Sequence, residues 1–94
     1  DLVGIYMAGG GMAGLVRALR DEKAGDRIIA ICNELIPITR SALIDGTIDM
    51  VLATPVATLS SHAVAAMAQS VVSGRYEGGI LVQLPAEIFV SENI

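Results

Sequence analysis

The stretch Leu2-Val3-Gly4-Ile5-Tyr6-Met7-Ala8-Gly9-Gly10-Gly11-Met12-Ala13-Gly14 runs from an apolar segment into three glycines and out into a helical pattern. A short, nearly continuous apolar run is the pattern of a strand buried on both faces of a parallel sheet. After the glycines, Met12, Leu15, Val16 and Leu19 fall at i, i+3, i+4 and i+7. That spacing makes one stripe of an amphipathic helix. Arg17, Arg20, Asp21, Glu22 and Lys23 fall on its other side, and Gly25 is placed to end it.

The same strand, turn and helix order repeats along the chain. Ile28 to Cys32 predicts a second strand, with Asn33 and Glu34 at its carboxy end. Pro37 suits the first turn of a helix running to about Asp45, with Gly46 as its stop. Ile48 to Ala53 predicts a third strand with polar Asp49 at its entry, broken by Thr54-Pro55. An Ala-rich helix follows from Val56 to Ser73 and ends at Gly74, with Leu59, Ala63, Met67 and Val71 as its buried stripe. Beyond a Gly78-Gly79 turn, Ile80 to Leu84 and Ala86 to Val90 read as extended segments at an edge or crossover. Such alternation predicts an α/β fold with an open, mostly parallel sheet, helices on both faces and right-handed crossovers. In these sheets ligands gather beyond the carboxy ends of the strands. Here those ends are Met7 to Gly11, Asn33 to Leu35, and Thr54-Pro55.

Ninety-four residues make one small domain or one lobe of a larger one. A chain of this size buries roughly 60–65% of its unfolded surface. Yet 53% of its residues are hydrophobic and its mean hydropathy is +0.64. That surplus predicts a piece of a larger protein or a lobe that buries a face against a partner, and a start on Asp1 with no initiator Met fits a fragment. Gly, Asp, Arg or Pro interrupts every apolar run before membrane-spanning length. Net charge is −4 and the six basic residues are scattered, so this segment carries no footprint for nucleic acid. The single Cys32 reads as a small buried apolar residue.

Two local patterns carry chemistry, each with a structural alternative. Gly9-Gly10-Gly11-Met12-Ala13-Gly14 satisfies G-x-G-x-x-G between strand and helix, and Glu34 lies 20 residues after Gly14. That is the layout of a dinucleotide site; the alternative is a turn that brings strand and helix close. Asn33 and Glu34 together offer a polyol one amide and one carboxylate; the alternative is that either caps the helix at Pro37. His62, beside Ser60 and Ser61 within one helix, reads as an ordinary surface or interface histidine. No metal set surrounds it, and one helix cannot align Ser61 and His62 for attack.

Several stretches together resemble one family. Leu2 to Gly14 resembles the strand and glycine turn of the sugar-binding domain of lactose-repressor-type (LacI/GalR) transcription regulators. Asn33-Glu34-Leu35-Ile36-Pro37-Ile38-Thr39-Arg40 resembles that family's H-E-L-T-P-x-T-R, and Leu43 to Val51 resembles its L-x-x-G-x-I-D-A-V. Pro85 to Asn93 resembles its P-x-E-I-F-x-x-E-N. The matches run almost end to end and in the family's order. The resemblance implies the second lobe of a two-lobed, periplasmic-binding-protein-like domain, with the first lobe and the DNA-reading headpiece absent. It implies a small-molecule effector, a sugar, bound in the cleft between lobes near Met7, Asn33, Glu34 and Thr54. It further implies a cytoplasmic, bacterial homodimer with no catalysis, no cofactor, no metal and no membrane contact, reaching DNA only through the headpiece. Relatives often carry Asn where Met7 and Met12 stand, His at Asn33, and Gln-Asp-Pro at Ala53-Thr54-Pro55. Fewer amides and acids here allow a less polar ligand or a modified sugar. Two other readings stay open: a dinucleotide-binding fragment of an NAD(P)-dependent oxidoreductase, and a lobe of a periplasmic sugar-binding protein.

Overall fold

The computed structural model describes residues 1–74, 79 and 81–94. In chain order the elements are β1 (Gly4–Met7), α1 (Met12–Asp21), β2 (Ile29–Asn33), α2 (Pro37–Ile44), β3 (Met50–Ala53), α3 (Val56–Ser73), β4 (Glu87–Phe89) and a short 3-10 turn at Ser91–Asn93. The chain divides into two compact units: residues 1–53 with 87–94, and residues 54–86. The Gly78 half of the expected turn and Ile80, the start of the first expected extended segment, lie outside the described residues; residues 81–84 of that segment form no strand.

The first unit holds one sheet of order β1-β2-β3-β4. β1, β2 and β3 run parallel; β4 runs antiparallel to β3, with Leu52 opposite Ile88. The mixed α/β, mostly parallel open sheet read from the sequence is therefore present, with the Ala86 to Val90 segment at its edge as expected. Because the strand order advances in one direction, right-handed crossovers put α1 and α2 on the same face. Met7, Cys32, Val51 and Phe89 stand in one row across the sheet, and on that face they meet Leu15, Val16 and Leu19 of α1 with Ala42 and Leu43 of α2. Cys32 is fully buried there, and burial pushes its thiol pKa up, so it stays a neutral packing group. The opposite rows are Gly4 with Ile29, and Tyr6 with Ile31 and Met50.

The end of α1 departs from expectation. The helix closes on Lys23, whose φ is +50°, not on Gly25. The Ala24 N–H donates to the Leu19 carbonyl at 2.9 Å, and the Lys23 N–H donates to the Arg20 carbonyl at 3.1 Å. This is the paired closure that usually places glycine at the left-handed position. Gly25 is needed for space instead. A Cβ there stands 3.2 Å from Thr47 Cα and 3.3 Å from the Gly46 carbonyl oxygen. Opposite outcomes follow for two neighbouring substitutions. Lys23→Gly is expected to stabilise the fold by about 0.5–1 kcal/mol, by removing left-handed strain at some entropic cost. Gly25→Ala is expected to destabilise it by about 1–2 kcal/mol through overpacking against backbone. Denaturant midpoints for both variants check this; a shift of the same sign in the two would contradict it.

Where α1 and α2 meet, Arg20 donates to the Asp45 carboxylate at 2.6 Å. The other Asp45 oxygen accepts the Thr47 hydroxyl at 2.6 Å and the Thr47 N–H at 3.0 Å. Burial alone raises the Asp45 pKa, but the two Thr47 bonds and the Arg20 charge outweigh it and hold the carboxyl below its ordinary 3.8. A carboxyl lowered in the folded state stabilises while ionised, and that stability is lost as pH falls through the lowered pKa. With 46% of its side chain exposed, Asp45 contributes less than about 1 kcal/mol. Thermal melts between pH 7 and about 2.5 should show Asp45→Asn removing part of the acid-side loss. Parallel curves for variant and parent would rule the contribution out.

In the second unit, α3 spans Val56 to Ser73 and ends at Gly74, φ +69°, as the sequence predicts. Its expected buried stripe is not buried. Met67 is 71% exposed and Val71 62%, and α3 has no buried residue. The apolar spacing is present, but it leaves no α3 side chain buried. Among the described residues no helix is long and apolar enough to cross a membrane.

Candidate ligand-binding site

The carboxy ends of β1 and β2 lie side by side, because Met7 pairs with Cys32 in the parallel ladder. This register brings Met7 next to Asn33 and Glu34 along the sheet edge, as the sequence expects. Their side chains then diverge. Met7 is half-buried and packs on the core beneath α1 and α2. Asn33, one residue past Cys32, turns to the opposite face.

On that face Asn33 meets Tyr6, which the sequence reading did not single out. The Tyr6 hydroxyl donates to Asn33 Oδ1 at 2.8 Å, and Asn33 Nδ2 donates to the Ala8 carbonyl at 3.0 Å. The amide therefore ties the end of β2 to the end of β1. One N–H and one lone pair of Asn33 remain uncommitted, and the Tyr6 oxygen can still accept. The signal for Tyr6 lay in strand alternation: Tyr6 and Asn33 share a face once Met7 is paired with Cys32.

Glu34 is exposed, and its carboxylate makes no hydrogen bond or ion pair among the described residues. Its backbone is in the left-handed region, φ +71°, which costs a non-glycine residue about 1–2 kcal/mol. Two contacts hold it there. Its N–H donates to the Leu52 carbonyl at 3.3 Å, and its carbonyl accepts the Thr39 hydroxyl at 2.9 Å. Strain of this kind gathers where a side chain must be presented at a defined angle.

Neither Asn33 nor Glu34 caps α2. The N-cap position is Ile36, which has no side-chain acceptor; Pro37 follows at the first helical position. Thr39 supplies the polar closure from inside the helix, accepting the Ile36 N–H at 2.9 Å. Thr54 is the first residue of the second unit; it is exposed, directly after β3.

The glycine turn does not have the geometry the dinucleotide pattern needs throughout. Gly11 has φ +95°, a left-handed position that glycine suits. The third glycine of that pattern serves close packing of helix on strand. Here a Cβ on Gly14 meets nothing within 4 Å, so Gly14 serves no such contact. His62 is exposed on α3 and lines a depression of about 200 Å³ with Leu59, Ala63, Ala66, Val82 and Leu84, all within the second unit. Among the described residues no three His, Cys, Asp or Glu side chains stand close enough to hold a metal ion.

An open, mostly parallel sheet with uncommitted polar groups at its strand ends defines the class: an α/β fold whose strand ends suit a ligand. Among solved structures, the chain is similar to GanP, a glucose-galactose binding protein from Geobacillus stearothermophilus, with a TM-score of 0.85 and 17% identity. The match covers 100% of this chain and 33% of that one, so the chain spans about a third of that protein's length. At this identity the likeness establishes the fold. No protein-family model and no curated protein matches the sequence.

Proposed function

We propose that this chain is the second lobe of the effector-binding domain of a LacI/GalR-type transcription regulator, that it takes a small hydroxyl-rich effector, a sugar, and that it catalyses nothing. The observation that carries the ligand assignment is Glu34. A free, exposed carboxylate is presented from a strained backbone at the carboxy end of β2, where open α/β sheets bind ligands. A carboxylate accepts two hydroxyls, and the Asn33 amide beside it keeps one donor and one acceptor. Glu34 is the principal contact in this reading, with Asn33 accessory. The effector acts by favouring one arrangement of the two lobes over another. DNA is read by a headpiece outside this chain, in the cytoplasm.

The four ordered motif resemblances support the regulator assignment. The exposed apolar side chains of α3 fit a lobe covered in the whole protein, and we propose a homodimer; a monomer in sedimentation at micromolar concentration would count against it. A second reading, a lobe of a periplasmic sugar-binding protein, is favoured by the fold match to GanP. The sequence ahead of Asp1 separates the two: a basic helix-turn-helix for the regulator, a signal peptide for the periplasmic protein. For ligand class, the two-lobed protein is titrated with D-glucose, D-galactose and NAD(H) and followed by thermal shift. Stabilisation by a sugar is expected; stabilisation by the dinucleotide alone would overturn the reading in favour of an oxidoreductase fragment.

A further inference from the structure

The residue that holds Glu34 in place is itself identifiable. Thr39 is fully buried although polar, and its single hydroxyl serves the whole loop between β2 and α2. It accepts the Ile36 N–H at 2.9 Å, and its proton lies within reach of the Glu34 carbonyl at 2.9 Å and the Ile36 carbonyl at 3.1 Å. All three partners belong to the segment that must leave β2, pass through the left-handed turn at Glu34 and enter α2 at Pro37. A buried hydroxyl bonded to the strained residue's own carbonyl holds the peptide plane that follows Glu34, and so the left-handed turn from which its side chain leaves the backbone. We infer that Thr39 is a positioning residue for the Glu34 contact: it touches no ligand, and it sets affinity by keeping the loop in its binding-competent conformation.

This inference rests on the proposed role of Glu34, but its first test does not require a ligand. Thr39→Val keeps the shape and removes the hydroxyl; Thr39→Ser keeps the hydroxyl. NMR couplings that report the Glu34 φ angle, measured on the full chain, are expected to show a positive φ in the parent and in Thr39→Ser. In Thr39→Val the positive-φ population should fall. An unchanged Glu34 φ in a folded Thr39→Val variant overturns the inference, whatever the protein binds.

The second test uses D-galactose and D-glucose on the two-lobed protein. If only about a tenth of the Thr39→Val molecules hold the loop correctly, apparent affinity falls about tenfold, and Thr39→Ser restores it. In a Glu34→Gln background the further loss from Thr39→Val should shrink towards none, because a residue that acts through another is non-additive with it. Full additivity of the two substitutions overturns the positioning role. If neither sugar binds the parent, the sugar assignment has failed, and the φ measurement still decides the role of Thr39.

Discussion

Glu34→Gly is expected to make the protein more stable and the site nearly useless. The stability gain comes from the backbone. Glu34 sits at φ +71°, where an L-residue loses about 1–2 kcal/mol and glycine nothing. The greater freedom of glycine in the unfolded chain returns part of that, so the net gain is about 0.5–1 kcal/mol. No folded-state contact offsets it, because the Glu34 carboxylate has no partner among the described residues. The binding loss comes from the side chain. Hydrogen bonds to a charged group are worth about 1.5–3 kcal/mol each, so losing a carboxylate that accepts two hydroxyls weakens sugar affinity at least about a hundredfold. Denaturant unfolding and calorimetric titration of one variant read both effects. A residue selected for the fold loses stability when replaced; one selected for its ligand loses binding. A destabilised Glu34→Gly protein with unchanged affinity would assign Glu34 to the first kind and remove the central contact from the proposed site.

How far such a site was legible in the sequence depends on which physical signal each residue left. The sheet was legible because β1, β2 and β3 are apolar runs punctuated by Gly, Pro and polar pairs. The burial on both faces expected from those runs is absent: Tyr6 is 57% and Ile29 60% exposed on the face away from α1 and α2. Glu34 was legible as a position, since it follows β2, but not as a strained one. Left-handed backbone is announced by glycine, and neither Glu34 nor Lys23 is glycine. The converse error occurred at Gly25, whose composition suggested a helix stop although the residue is there for the close approach of Thr47 and Gly46. Met7 and Asn33 looked equivalent as strand-end residues, whereas the ladder turns one into the core and the other onto Tyr6. Period-two alternation contains that information only once the register between two strands is known. Thr39 stood in the sequence only as one matching residue of the Asn33 to Arg40 motif; that its hydroxyl is buried against the loop follows from packing, which the residue type does not announce.

The largest loss of stability is expected at Leu43, and the comparison that gives it meaning is Met67. Both are large apolar residues of helices the sequence predicts, and composition alone would rank them alike. Leu43 is 1% exposed, enclosed on the sheet face that holds Cys32 and Val51. Met67 is 71% exposed on α3. Leu43→Ala removes the transfer free energy of the lost methyl groups and leaves a cavity that close-packed neighbours fill only in part, a cost of about 2–5 kcal/mol. For a chain this small, whose total stability is on the order of 5–15 kcal/mol, that removes a large share of the total. Met67→Ala should change the stability of this chain by no more than about 0.5 kcal/mol, as surface substitutions do. Urea midpoints of the two variants separate the cases directly. Equal losses would mean that α3 is covered even in the isolated chain. If Met67→Ala is neutral here but costly in the two-lobed protein at micromolar concentration, the difference measures what the rest of that protein, or a second copy of it, lays over α3.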